Sequence, residues 1–389
     1  MKESLESLEE FATDVILERR NDFKAKSLRV ALFGLSKVFS RLVALRLWLF
    51  RNRIKRERNL GCLVISIGNL TVGGTGKTPV VEMFAKALRD RGRKVAILSR
   101  GYKSVKPPAK DRLKARIDGR TVAPPPRVVS DGERVLLDSK VAGDEPFMLA
   151  TNLPGVAVVV DKDRVKAGSY AIRELGADTL LLDDGLQYLR LRRRLDVVLV
   201  DRYTPFGNEH MLPRGTLREP HANLRRATYI FITKSDPDWD SSELISRIRR
   251  YNRTAEIIEC AHHPLYLQRL GSDERTPLAA LKGKYVGAVS GIAIPESFES
   301  GLRRLGAQVE LVRRFTDHHR YEEREINEFI TRCVNRDIDM IVTTEKDSVR
   351  LPPIENPEVP IYYLRVEIGI LRGHSTWDRC IDLICGRGE

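Results

Sequence analysis

The sequence predicts an α/β fold built around a parallel sheet, and three stretches carry that prediction. Val64-Ile65-Ser66-Ile67 is a short, largely β-branched run that reads as a buried strand. Gly73-Gly74-Thr75-Gly76 follows as a loop of small side chains. Lys77-Thr78-Pro79 then opens a pattern in which Val80, Val81, Phe84, Ala85 and Leu88 recur at helical spacing. Further on, Thr179-Leu180-Leu181-Leu182 is an apolar strand that ends in Asp183-Asp184-Gly185. Strand, glycine-rich loop, Lys-Thr and helix make a phosphate cradle. The glycines let backbone N–H groups turn toward an anion, and the helix N-terminus adds partial positive charge.

The expected core is therefore a P-loop NTPase-type parallel sheet. Thr71, Val72, Gly73, Gly74, Thr75, Gly76, Lys77 and Thr78 would line the nucleotide phosphates. Lys77 would reach the β- and γ-phosphates, and the Thr78 hydroxyl would sit on Mg²⁺. Thr71 stands where the strict pattern G-x-x-x-x-G-K-[ST] has glycine. Asp183 and Asp184, at the end of a neighbouring parallel strand, are expected beside the same metal, directly or through water.

A chain of 389 residues suits two domains rather than one small core. Its net charge of +14 favours an anionic partner: nucleic acid, an acidic membrane surface or a phosphorylated substrate. Nucleic acid is disfavoured, because the basic residues of 51–58 have no aromatic residues among them and adjoin an apolar helix. Five cysteines without C-x-x-C or paired spacing argue against a disulfide framework or a zinc site and for a reducing compartment.

Residues 1–27 are a polar extension to which the sequence assigns no chemistry. Residues 28–50 are interrupted by Arg29, Lys37, Arg41 and Arg46, so a plain transmembrane helix is not expected. At roughly 100° per residue, Arg29, Ser36, Lys37, Ser40, Arg41 and Arg51 share one arc. Leu28, Ala31, Leu32, Leu35, Val38, Phe39, Leu42, Val43, Leu45 and Leu49 fill the opposite one, and Arg46 breaks the pattern. With the basic run that follows, 28–58 reads as an amphipathic anchor and linker on anionic lipid; packing on the protein's own core is the alternative.

The P-loop core is expected over 59–240 and a smaller α/β domain over 241–389, whose tail could return to the core. The proline-rich stretch 103–127 reads as a surface excursion. Asp144-Glu145 lies at a turn before an apolar helix start. Arg214 and Arg218, in a loop rich in Gly, Pro and Arg, are suited either to clamping phosphates or to loop salt bridges. The ending Thr233-Lys234-Ser235-Asp236 resembles the guanine-reading N-K-x-D of GTPases with Thr for Asn. It is read as a loop coincidence, though it supports a P-loop GTPase as the alternative function. The His318-His319 pair has no further His or Cys at ligand spacing.

Seven motifs in order, GNLTVGGTGKTP (68–79), SRGY (99–102), GDEP (143–146), DDGLQ (183–187), LPRGTLREP (212–220), FTDHH (315–319) and TTEKD (343–347), resemble the tetraacyldisaccharide 4′-kinases, the lipid A 4′-kinases of Gram-negative bacteria. The resemblance covers most of residues 28–350. It implies transfer of the ATP γ-phosphate to the 4′-hydroxyl of a tetraacyldisaccharide 1-phosphate, with Mg²⁺, by a peripheral enzyme on the cytoplasmic face of the inner membrane. No obligate protein partner is implied. It places Asp183, Asp184 and either Glu145 or Gln187 near the metal, Tyr102 and Arg218 in the substrate or phosphate shell, and Asp144 in a catalytic pair with a histidine of 317–319. His318 is preferred over His319 because the motif resembles D-H-x more than D-x-H. Tyr188 stands where the family usually has histidine.

Overall fold

β-Branched runs become strands near the expected bounds, and the alternation of strand and helix gives a parallel α/β arrangement. A computed structural model describes residues 11–101, 124–317 and 319–386. Tyr102, His318 and most of the 103–127 excursion lie outside the described residues. The first strands are β1 (Leu63–Asn69), β2 (Val95–Ser99), β3 (Arg127–Asp131), β4 (Ala157–Val160), β5 (Thr179–Asp183), β6 (Leu195–Asp201) and β7 (Tyr229–Thr233). They are followed by β8 (Glu256–Arg269), β9 (Arg275–Pro277), β10 (Tyr285–Ser290), β11 (Gln308–Arg314), β12 (Met340–Thr344) and β13 (Ile361–Arg372). The helices that matter below are α1 (Phe23–Arg51), α2 (Lys77–Asp90), α3 (Asp144–Asn152), α4 (Arg164–Leu175) and α5 (His374–Cys385).

Two compact units result, each assembled from separate stretches of chain. One comprises Met1–Leu98, Asp163–Ala261 and Ile370–Glu389; the other comprises Ser99–Lys162 and His262–Gly369. The expected boundary lay at 240/241, with a tail that could return to the core; the observed units group 370–389 with the phosphate-loop unit and 99–162 with 262–369.

In the first unit the parallel order is β8-β7-β6-β1-β5-β2. β5 and β7 are buried along their whole length and β1 along all but its first residue. This is why they read as near-continuous apolar runs rather than alternating ones. α2 buries Val80, Val81, Phe84, Ala85 and Leu88. The Phe84 ring lies 4.7 Å from that of Trp377 on α5 and 5.6 Å from that of Phe231 on β7. In the second unit β11-β10-β12-β13 run parallel, while β3–β4 and the β8–β9 pairing are antiparallel.

α1 divides the apolar arc expected of it. Leu32, Phe39 and Val43 are half-buried, so one part of the arc packs on the first unit, whereas Ser36, expected on the polar arc, is buried and donates its hydroxyl to the Phe33 carbonyl at 2.7 Å. Leu35, Val38, Leu42 and Leu45 remain 51–59% exposed, an apolar stripe with Lys37 and Arg41 beside it. Arg46, which broke the sequence pattern, donates to the Gln187 carbonyl at 2.8 Å. No described helix is long and apolar enough to cross a membrane.

The cysteines form no disulfide. Burial pushes the Cys62 and Cys333 thiols up to about 11 and those of Cys260 and Cys380 up to about 12, which keeps them protonated near neutral pH.

Candidate active site

β1 delivers the chain into the phosphate loop and α2 receives it. Gly73 (φ 121°) and Gly76 (φ 75°) take the left-handed region that a Cβ would oppose. Gly76 is the N-cap of α2, Lys77 and Thr78 are its first two residues, and Pro79 at the third removes an N–H that has no helical partner there. No acidic residue stands in the first turn of α2, so its positive end is uncompensated by its own side chains. Thr71 explains the departure from the strict glycine pattern. It has no positive φ, pairs with Leu217 in an antiparallel bridge, and is flanked by Val72 N–H to Thr216 O and Arg218 N–H to Leu70 O, both 2.7 Å. An extended, paired backbone accommodates a side chain, and the glycine requirement moves to residues 73 and 76.

Asn69, at the end of β1, was not assigned a role from sequence. Its amide donates to the Thr75 hydroxyl at 3.0 Å and lies 3.4 Å from that of Thr71, while its Oδ1 receives the Lys77 ammonium at 3.5 Å. The side chain is fully buried, so these bonds brace the loop from beneath.

Opposite Lys77, β5 ends in Asp183, 4% exposed, and Asp184, whose φ of 51° is unusual for a residue with a side chain. Asp184 lies 3.8 Å from the Lys77 ammonium and takes the Arg218 guanidinium on both oxygens at 2.7 and 2.8 Å. Burial raises its carboxyl, but Lys77 and Arg218 outweigh that and hold it below the usual carboxylate range. Because the folded-state value is depressed, the stability these ion pairs contribute is present above the ordinary carboxylate range and is lost as pH falls through the lowered value. Gln187 donates to the Asn69 carbonyl at 3.0 Å and sits 3.5 Å from Arg218. It thus ties the β5 turn to β1.

Gly185 admits no side chain. A Cβ there would meet Leu182 Cβ at 2.5 Å and the Ser66 hydroxyl at 2.8 Å. Gly185→Ala is expected to cost about 1–3 kcal/mol, read as a lower denaturant midpoint, together with reduced activity as the Asp184 turn shifts.

The second unit holds the other motifs. Asp144 opens α3 behind Gly143, and its carboxylate accepts from Arg350 at 2.8 Å and Arg320 at 3.2 Å. Arg350 is fully buried and also bonds Asp347 at 3.2 Å, while Asp347 accepts from Gly291 N–H and the Thr344 hydroxyl. Glu145 faces Lys346 at 4.0 Å, and Lys346 reaches Asp317 at 3.3 Å. The TTEKD stretch thus joins GDEP to FTDHH. Arg350 lies in no motif and was missed; its local partner Asp347 is visible in the sequence, but its contact with Asp144 is not. His319 stacks on Phe315 at 4.6 Å between ring centroids and bonds Glu325 at 2.8 Å.

Comparison with known proteins fixes the relationship. A family model for tetraacyldisaccharide-1-P 4′-kinase matches residues 28–384. The chain belongs to the tetraacyldisaccharide 4′-kinase family. It is 40% identical over 348 residues to a tetraacyldisaccharide 4′-kinase of Anaeromyxobacter dehalogenans, covering 88% of this chain and 87% of the relative. It is 36% identical over 342 residues to that of Geobacter sulfurreducens, covering 88% of each. Its structure is similar to a crystal structure of LpxK from Aquifex aeolicus in complex with ATP, with a TM-score of 0.70, 27% identity, and coverage of 92% of this chain and 99% of that one. Tyr188, which stands where the resemblance leads one to expect histidine, has a structural use in this kinase. The Tyr188 hydroxyl donates to Asp163 at 2.8 Å, and Asp163 caps α4 through Val165 N–H at 3.0 Å. The tyrosine therefore steadies a helix start beside the Asp184 turn.

Proposed function

We propose that this kinase transfers the γ-phosphate of ATP to the 4′-hydroxyl of a tetraacyldisaccharide 1-phosphate while resting on the cytoplasmic face of the inner membrane. The observation that carries the reading is a phosphate loop braced by Asn69 and faced by Lys77, Asp184 and Arg218, in a chain matching the kinase family over 28–384. Transfer of phosphate from [γ-³²P]ATP to the purified disaccharide 1-phosphate tests it. A labelled bisphosphate is expected, and label appearing only as inorganic phosphate would end the proposal.

Thr78, Asp183 and Asp184 form an all-oxygen donor set that fits Mg²⁺, which takes few protein oxygens and keeps waters and phosphates for the rest. Among the described residues no cage of three or more His, Cys, Asp or Glu side chains occurs, in keeping with that mode. When bound there, Mg²⁺ neutralises charge on the phosphate oxygens. The protein supplies positioning: backbone N–H groups of 73–78 orient the phosphates, and Lys77 adds positive charge. Arg218 neutralises Asp184 until the nucleotide arrives. Asp144 takes the proton of the attacking hydroxyl, its carboxylate held in one orientation by Arg350 and Arg320. Either Glu145 or Gln187 adds an oxygen near the metal, and Tyr102 contributes to the substrate shell. The engagement of His319 with Glu325 and Phe315 supports His318 as the partner of Asp144.

The exposed stripe of α1 supplies the membrane contact, with Lys37 and Arg41 placed for anionic headgroups. Leu42→Glu is expected to reduce sedimentation with anionic vesicles several-fold while leaving ATP binding unchanged. Unchanged sedimentation of that variant would move the membrane contact away from α1. Phe39, on the packed side, is the wrong position for this test, because charge there would disturb the fold.

A further inference from the structure

The TKSD stretch reads from sequence as a loop coincidence with a guanine-binding motif, and its charged side chains have local partners. Lys234 forms an ion pair with Asp201 at 2.5 Å, and the Asp236 carboxylate accepts from Asp238 N–H at 3.1 Å, so both are engaged locally. Thr233 does something else. It ends β7, paired with Asp201 of β6, and is 0% exposed. Its hydroxyl donates to the Thr75 carbonyl, inside the phosphate loop, at 2.9 Å; the Val200 carbonyl, at 3.5 Å, is the weaker alternative.

That bond has a directional consequence. The Thr75–Gly76 peptide is trans and planar, so its C=O and N–H point in opposite directions. Pulling the carbonyl toward β7 turns the Gly76 N–H away from β7. Gly76 itself, at φ 75°, has the freedom to follow. Asn69 holds the Thr75 side chain and Thr233 holds its backbone, so the residue is fixed from two sides.

We propose that Thr233 is a positioning residue of the phosphate loop: by holding the Thr75 carbonyl, its hydroxyl aims the Gly76 N–H at the phosphates of ATP. It acts through Thr75 and touches neither nucleotide nor acceptor. The proposal rests on the phosphate-loop reading of 71–78.

The test uses the full chain and Mg·ATP as the probe. Thr233→Val keeps the shape and removes the hydroxyl. Thr233→Ser and Thr233→Ala form a second pair differing only in that hydroxyl, which keeps the comparison valid should the valine variant fold poorly. Loss of one such bond corresponds to about a five- to tenfold change in an equilibrium constant. The dissociation constant for Mg·ATP is therefore expected to rise about five- to tenfold in Thr233→Val and Thr233→Ala. Thr233→Ser should stay within about twofold of the parent, and KM for the acceptor should be unchanged in all three. Parent-like ATP affinity in the variants without a hydroxyl, or a serine variant as weak as the alanine one, would overturn the proposal. Lys77→Ala, measured alongside, separates the two levels. If it binds Mg·ATP as the parent does, the phosphate-loop reading fails and Thr233 loses its role with it. If it binds weakly while Thr233→Val does not, only the role of Thr233 fails.

Discussion

Lys77→Ala is expected to abolish phosphoryl transfer while the protein keeps its fold. Lys77 is the cation at the mouth of α2, 3.5 Å from Asn69 and 3.8 Å from Asp184, with 14% of its side chain exposed. Phosphoryl transfer asks little covalent chemistry of the protein and depends on charge placed around the phosphates. Removing one such group from a dry site costs on the order of 10²–10³ in kcat. Thr78→Ala should fall comparably through loss of a hydroxyl donor to the metal. Circular dichroism with a turnover assay checks both, and a folded Lys77→Ala protein with near-parent activity would remove the phosphate loop from the mechanism.

Asp144→Asn should be nearly as damaging by a different route. An alcohol is a poor nucleophile near neutral pH, so loss of the group that takes its proton is expected to lower kcat about 10²–10⁴-fold. ATP affinity should be unchanged. Asparagine keeps an oxygen for Arg350, and Arg350 also retains Asp347, so the cluster is disturbed less than by alanine. His318→Ala is expected to lower kcat as well. The double variant should then fall little below the worse single one, as residues acting as a unit do. Fully multiplicative losses in the double variant would separate their roles.

The sheet and the loop were legible because each rests on local sequence. β5 and β7 are apolar runs with no competing pattern, and GGTGKT is a backbone geometry written in glycine. What escaped depends on partners far along the chain. β13 carries Arg365 and Glu367 in its middle and does not read as a strand until Glu345 is seen to bond Arg365 at 2.8 Å. The bond from Arg350 to Asp144 spans 206 residues. Asn69 lies inside a motif but reveals its work only when the loop folds back over it. The apolar arc of α1 was visible, yet nothing local tells which part meets protein and which part stays bare. The grouping of 99–162 with 262–369 escaped for the same reason, since sequence order does not record which stretches pack together.

The interleaving of those stretches bears on how the molecule is made. α5 belongs to the unit that holds the phosphate loop, where Trp377 covers Phe84, and Arg372 just before it pairs with Glu259 at 2.9 Å. At about 5–20 residues per second, a ribosome releases α5 some ~15–60 s after α2. Throughout that interval the Phe84 face of the nascent chain lacks its aromatic cover. Competence to hold ATP is then a late event in synthesis, and a chain stalled before residue 370 is expected to present a sticky surface to chaperones in place of a finished nucleotide site.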